Sequence, residues 1–218
     1  GSETMAQNSK GGAQIAATNL DKIDWQKGDG LVPSIIQNID DGQVLMLGYM
    51  NREALAATLE TGNTTFFSRS KQRLWMKGET SGNRLIFIDG WMDCDRDTLL
   101  IRAQPVGPAC HTGARTCFVD EVPQGAGFLG TLNRLVQQRH TDMPAGSYTT
   151  SLFESGKARI AQKVGEEGVE LALAGMTDDR AEIANEAADL LYHMLVLLAD
   201  ADMDLGDVTT VLAERHGA

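Results

Sequence analysis

Four carboxylates in the C-terminal half stand at spacings that could serve phosphoryl chemistry: Glu167 and Glu170 in GEEGVE, and Glu186 and Asp189 in NEAADL. A separation of three puts each pair on one helical face, so packing the two faces together brings four acids to a point. Oxygen-only donors suit Mg²⁺, which bridges to substrate phosphates and activates water against a phosphoanhydride. The simpler reading is a solvated acidic face, but the apolar run after Asp189 in ANEAADLLYHMLVLL argues for partial burial. Lys163, four residues before Glu167, would meet a phosphate oxygen or pair with that glutamate. His193, four after Asp189, would orient a ligand or sit as a hydrogen-bonded core residue.

A second constellation lies in Asp93-Cys94-Asp95-Arg96-Asp97. Were it extended, Asp93, Asp95 and Asp97 would point to one side and Cys94 to the other, an oxygen site back to back with a sulfur site. Mg²⁺ would suit the first and Zn²⁺ the second. The other two cysteines, Cys110 and Cys117, stand in GPACHTGARTCF. Three thiolates would leave a fourth tetrahedral position for water, the arrangement of a catalytic zinc, although plain buried thiols would also explain the spacing. His111, beside Cys110, is placed to relay a proton or to support the metal from behind.

The densest basic stretch is SRSKQRLWMKGETSGN, with Arg69, Lys71, Arg73 and Lys77 interleaved with Ser70, Thr80, Ser81 and Gly82. Backbone amides of a Gly- and Ser-rich loop plus fixed cations make a phosphate cradle. The alternative is a solvated basic strand, against which stands Trp75 inside the run, itself counted among the expected substrate-binding residues.

Two kinds of element must position these groups. From Leu31 to about residue 122, β-type runs (VPSIIQNI, VLMLGYM, TTFFSRS, LIFIDGW, TLLIRAQPV and TCFVDEV) alternate with Gly, Asn and Asp turn signals, and one helix spans Arg52 to Glu60. After Pro123-Gln124-Gly125 helical periodicity takes over. A first helix carries Phe128, Leu132 and Leu135 on one stripe, MPAGSYTTS reads as a loop, and helices follow over Ala158 to Ala174, Arg180 to Asp200 and Leu205 to Arg215. The expected fold class is α+β, a β-rich N-terminal domain over 19–124 followed by an all-α helical bundle over 125–218. Residues 1–18, small, polar and aperiodic, read as a disordered tag or tail.

Charge supports the same boundary and narrows the function. The net charge is −11, of which −8 falls on residues 126–218. Such a chain lacks the basic footprint of a nucleic-acid binder, yet it can hold anionic substrates through divalent cations. No run reaches the ~20 apolar residues of a membrane span and no signal-peptide profile opens the chain, so a cytoplasmic location is expected. Three cysteines in a reducing compartment do not close as disulfides.

The string SYTTSLFESGKARIAQKVGEEGVELALA, followed by EAADLLYH, resembles the phosphoribosyl-ATP pyrophosphohydrolases of histidine biosynthesis, a branch of the all-α nucleoside triphosphate pyrophosphohydrolases. GLVPSIIQNIDDGQVLMLGYMNREAL, SRSKQRLWMKGETSGN, DCDRDTLL and GPACHTGARTCF are similar, in order, to phosphoribosyl-AMP cyclohydrolase. The resemblance implies a multifunctional, ATP-analogue-binding hydrolase with two steps. Phosphoribosyl-ATP loses pyrophosphate with Mg²⁺ on Glu167, Glu170, Glu186 and Asp189, Glu166 standing just outside that set. Water activated by Zn²⁺ on Cys94, Cys110 and Cys117 then opens the adenine ring of phosphoribosyl-AMP, Mg²⁺ on Asp93, Asp95 and Asp97 meeting a substrate phosphate. It also implies a homodimer whose zinc site is shared, Cys94 from one chain facing Cys110 and Cys117 of the other. Two alternatives stand beside it: a house-cleaning nucleotide pyrophosphohydrolase, and a pyrophosphohydrolase joined to a zinc module without chemistry of its own.

Overall fold

The computed structural model describes residues 11–217, which divide into two compact units between Gly127 and Phe128. The N-terminal unit is built on a five-stranded mixed sheet. Its strands are β1 (Ala13–Gln14), β2 (Val32–Asn38), β3 (Val44–Met50), β6 (Leu85–Met92) and β7 (Leu99–Pro105), in the order β1-β6-β7-β2-β3. Only β2 and β7 run parallel, pairing Ser34 with Leu99 and Asn38 with Ala103. A separate hairpin joins β4 (Thr65–Ser68) to β5 (Arg73–Met76).

Alternation explains which face is buried. Along β2 the residues Val32, Ser34, Ile36 and Asn38 point inward while Pro33, Ile35 and Gln37 stand half-exposed, the period-two pattern of a strand with one covered face. Helix α1 (Arg52–Thr61) covers it with Ala54, Leu55 and Thr58. Its start is set by Asn51, whose side chain accepts from the Ala54 amide at 2.8 Å, and its end by Gly62 at φ 72°, a left-handed stop that favours glycine. Phe66, fully buried, lies against β3 at Gly48, where a Cβ would come within 2.4 Å of the ring.

The C-terminal unit contains α2 (Ala126–Asp142, whose first two residues precede the division), α3 (Tyr148–Ser155), α4 (Lys157–Ala174), α5 (Arg180–Asp200) and α6 (Leu205–Arg215). Val136, Leu152, Ile160, Leu195, Val196 and Ala199 form its core. Three of the helix starts are capped by side chains: Ser147 for α3, Asp179 for α5, and Asp204 with Asp207 in a reciprocal box for α6. The α+β class and the β-then-α order expected from sequence are both present.

Five local expectations need correction. Of the tail expected to be disordered over 1–18, residues 1–10 lie outside the described residues, but Ala13 and Gln14 pair with Met92 and Trp91, and Ile15 is buried in the core. The segment TCFVDEV forms no strand, because the Thr116 hydroxyl accepts from the Phe118 and Val119 amides and donates to the Val119 carbonyl. That local turn uses groups a ladder would need. Tyr148–Ser155, expected to be loop, is helix α3, its Ser147 cap and buried Thr149 and Thr150 outweighing the turn-like composition. The basic loop contains a strand, β5. On α2 the buried position is Val136 with Leu132 beside it, while Phe128 and Leu135 remain exposed.

Candidate active sites

In the helical unit, α4 and α5 bring carboxylate oxygens of Glu167, Glu186 and Asp189 within 4.8 Å of one another. Glu167 is only 4% exposed, and a buried carboxylate needs a partner. Lys163 supplies it, its Nζ 2.5 Å from Glu167 Oε1 and 3.0 Å from Glu166 Oε2. These bonds hold both carboxyls below the ordinary range and the ammonium above its own. Glu170 lies outside the tight triad but shares a hydrogen bond with Glu167. That bond, partial desolvation and the charges of Glu167 and Glu186 push its carboxyl up. A cluster in which one acid is raised by its neighbours is short of positive charge.

Behind the acids, His193 is buried and donates from Nδ1 to the Asp189 carbonyl at 2.8 Å. The same nitrogen is 3.7 Å from Glu167 Oε1, and the Tyr148 hydroxyl lies 3.3 Å from Nε2. A parallel link joins Tyr192 to Thr149 at 2.7 Å, with Arg139 donating to the same threonine.

In the N-terminal unit the string 93–97 is a tight turn between β6 and β7, not an extended segment, with Arg96 at φ 64°. Asp93 Oδ1 accepts from the amides of Asp97 and Thr98, which closes the turn. Asp93, Asp95 and Asp97 still gather within 4.8 Å, by curling around one point instead of lining a strand face. Lys27 reaches them from the loop before β2, 3.1 Å from Asp95 Oδ2 and also paired with Asp97. Its bonds to Asp97 and Asp95 raise the ammonium above its ordinary value, and Asp97 is lowered in return.

Cys110 and Cys117 come together on the loop after β7. The Thr112 hydroxyl, 3.1 Å from Cys110 Sγ, and the backbone nearby hold that thiol below its ordinary value. Partial burial, and then the neighbouring Cys110 sulfur, push the Cys117 thiol up. Cys94 is exposed and the three thiols form no cluster within one chain. His111 Nδ1 stands 3.9 Å from Cys110 Sγ.

The basic stretch forms the β4–β5 hairpin and the turn after it. Ser68, Lys71, Arg73, Trp75 and Glu79 line a shallow recess. Two of the expected phosphate-binding cations already have partners: the Arg69 guanidinium lies 4.0 Å from the Tyr49 ring centre, and Arg73 bonds Glu79 at 2.9 Å. Trp75 does not face solvent squarely; it packs on the core 5.1 Å from Phe66. Ser70, Lys71 and the Thr80-Ser81-Gly82 turn stand at the exposed rim, with Lys77 half-buried and close enough to Cys117 for its charge to act on the thiol.

Residues 46–119 match the phosphoribosyl-AMP cyclohydrolase family model and residues 129–216 match the phosphoribosyl-ATP pyrophosphohydrolase model. The histidine biosynthesis bifunctional protein HisIE of Xanthomonas campestris pv. campestris is 55% identical over 99% of both chains. The protein of the same name from Shigella sonnei is 56% identical over 89% of this chain and 96% of its own. This chain belongs to that bifunctional histidine-biosynthesis family. It is a bifunctional hydrolase, with a cyclohydrolase domain followed by a pyrophosphohydrolase domain.

Of the expected acids, Asp93, Asp95 and Asp97 gather in one cluster and Glu167, Glu186 and Asp189 in another, with Glu170 beside the second; the expected basic residues lie on one hairpin and its turn, and Cys94 stands apart from Cys110 and Cys117 in the chain. Sequence reasoning passed over Lys27, Tyr148 and Thr112. Tyr148 carried a signal, Ser147 as a helix cap, whereas Lys27 reaches its acids across 68 residues and carried none.

Proposed function

We propose that the helical domain removes pyrophosphate from phosphoribosyl-ATP by means of Mg²⁺ held on Glu167, Glu170, Glu186 and Asp189. The N-terminal domain then opens the adenine ring of the phosphoribosyl-AMP product with the help of Zn²⁺. The observation that carries the first half is the burial of Glu167 within an oxygen-only cluster that draws in an ammonium. A cluster that binds a lysine ammonium has the charge to hold a hard divalent cation. For the second half, the pairing of Cys110 with Cys117 offers two soft donors, and Cys94, exposed on its turn, is free to serve a neighbouring chain.

In this reading Mg²⁺ would neutralise phosphate charge and Zn²⁺ would acidify a water. The chain's own groups do the remainder. In the helical domain water attacks the α-phosphorus, the α–β bridging bond breaks and pyrophosphate leaves, Lys163 neutralising charge beside Glu167. In the N-terminal domain water adds at C6 of the N1-ribosylated adenine, the C6–N1 bond breaks, and the amino-bearing carbon becomes a carboxamide. His111 accepts the proton of the attacking water. Arg69, Ser70, Lys71, Arg73, Lys77, Thr80, Ser81 and Gly82 hold a substrate phosphate, Trp75 braces their hairpin, and Asp93, Asp95 and Asp97 take Mg²⁺ to a second one.

Exposed Val169 and Leu173, one turn apart on α4, with exposed Met176 just past its end, support a homodimer, since such an apolar patch is covered at low cost by a second copy. No described helix is long and apolar enough to cross a membrane, which accords with a cytoplasmic enzyme of small-molecule substrates. The test is elemental analysis alongside a ring-opening assay on supplied phosphoribosyl-AMP. About one zinc per chain in active protein, lost together with ring opening in Cys110→Ser, supports the reading. Full ring-opening activity without zinc refutes it.

A further inference from the structure

The tautomer of His193 is fixed by its neighbours. Nδ1 lies 2.8 Å from the Asp189 carbonyl oxygen, which can only accept, so Nδ1 carries the hydrogen. Neutral imidazole then has Nε2 free to accept, and the Tyr148 hydroxyl, 3.3 Å away, donates to it. The ring is 4% exposed and stands edge-on to Tyr192, with ring centres 5.1 Å apart. These contacts leave it little freedom to turn.

Its location gives the arrangement a consequence. The ring sits between the two helices that supply the acids, donating to the backbone of Asp189 on α5 and lying 3.7 Å from the Glu167 carboxylate of α4. Tyr148 ties in α3 as a third helix. Groups behind a ligand set ordinarily fix the direction in which its oxygens point.

We infer that His193 is a positioning residue for the pyrophosphohydrolase reaction. Its ring, held on α5 by the bond from Nδ1–H to the Asp189 carbonyl, presents that edge to Glu167 of α4, and the Tyr148 hydroxyl satisfies Nε2. The inference rests on the reading of Glu167 and Asp189 as cation-holding acids.

Asparagine and glutamine separate the two nitrogens, because an asparagine amide reaches the place of Nδ1 and a glutamine amide that of Nε2. The experiment is Mn²⁺ binding by electron paramagnetic resonance on the full chain. Asp95→Asn and Asp97→Asn are present throughout to silence the N-terminal cluster, and thermal unfolding checks that each variant is folded. His193→Asn should keep Mn²⁺ affinity within about threefold of the parent, while His193→Gln should lose about tenfold or more. Tyr148→Phe should fall between them. The Mg²⁺ concentration for half-maximal pyrophosphate release should move in the same order, with kcat at saturating Mg²⁺ changing much less. Equal Mn²⁺ affinities in His193→Asn and His193→Gln, both retained or both lost, would overturn the inference while Asp189→Asn still weakens binding. If Asp189→Asn leaves Mn²⁺ binding unchanged, the underlying reading of the acids fails and this one with it.

Discussion

Lys27 places its ammonium 3.1 Å from Asp95 Oδ2 across 68 residues of sequence and pairs with Asp97 as well. The contact is not accidental to the loop: the Asp24 amide donates to the Arg96 carbonyl at 2.7 Å, and the Lys27 amide donates to Asp24 Oδ1. The aspartate turn thus carries a cation belonging to the chain, and an incoming divalent ion must compete with it. Lys27→Met should therefore tighten Mn²⁺ binding at Asp93, Asp95 and Asp97. Lys27 and Asp95 are largely exposed and Asp97 only partly buried, so the gain should be only about two- to fivefold at low ionic strength and shrink with added salt. A titration by paramagnetic resonance in the Asp189→Asn background isolates this cluster, and weaker binding in Lys27→Met would contradict the competition.

Lys163 stands in the same relation to the helical cluster, with a pH signature. Glu166 and Glu167 are held below the ordinary 4.5, chiefly by Lys163. Carboxyls depressed in the folded state contribute stability that is present above the ordinary value and lost as pH falls through the lowered one. Lys163→Met should flatten the acid limb of stability measured by urea unfolding between about pH 3 and 7. An unchanged slope would show that the pairing has no thermodynamic weight.

Glu170 should respond in the opposite sense. Its carboxyl is raised by Glu167, by desolvation and by Glu186, so its ionised form works against the metal-free fold. Glu170→Gln should raise the melting temperature without metal and reduce the further rise on adding Mg²⁺. Calorimetric scans with and without Mg²⁺ read both.

Much of the site was legible because its spacing is local. Glu167 with Glu170, and Glu186 with Asp189, follow from helical geometry alone, and the clustering of Asp93, Asp95 and Asp97 survives even though the segment is a turn instead of a strand. What escaped depends on distant or competing groups. Lys27 arrives by tertiary approach, and Ile15 is buried because a short strand finds the edge of β6. Thr116 and Ser147 each redirect the backbone through one hydroxyl, the first ending a run that reads as strand and the second starting a helix in a run that reads as loop.

The separation of Cys94 from Cys110 and Cys117 predicts complementation. Cys94→Ser and Cys110→Ser should each be inactive in ring opening as pure proteins. In a mixed two-fold dimer one site collects both defects and the other none. Unfolding, mixing and refolding equal amounts should therefore restore roughly a quarter of wild-type activity. No recovery would refute the shared site.

The central claim, two independent sites in one chain, is tested by assaying each step on its own supplied substrate in two variants. Asp189→Ala should lose pyrophosphate release from phosphoribosyl-ATP by at least about a hundredfold while retaining ring opening of phosphoribosyl-AMP. Cys110→Ser should show the reverse. Loss of both activities in either variant, with the protein still folded by circular dichroism, would contradict the account.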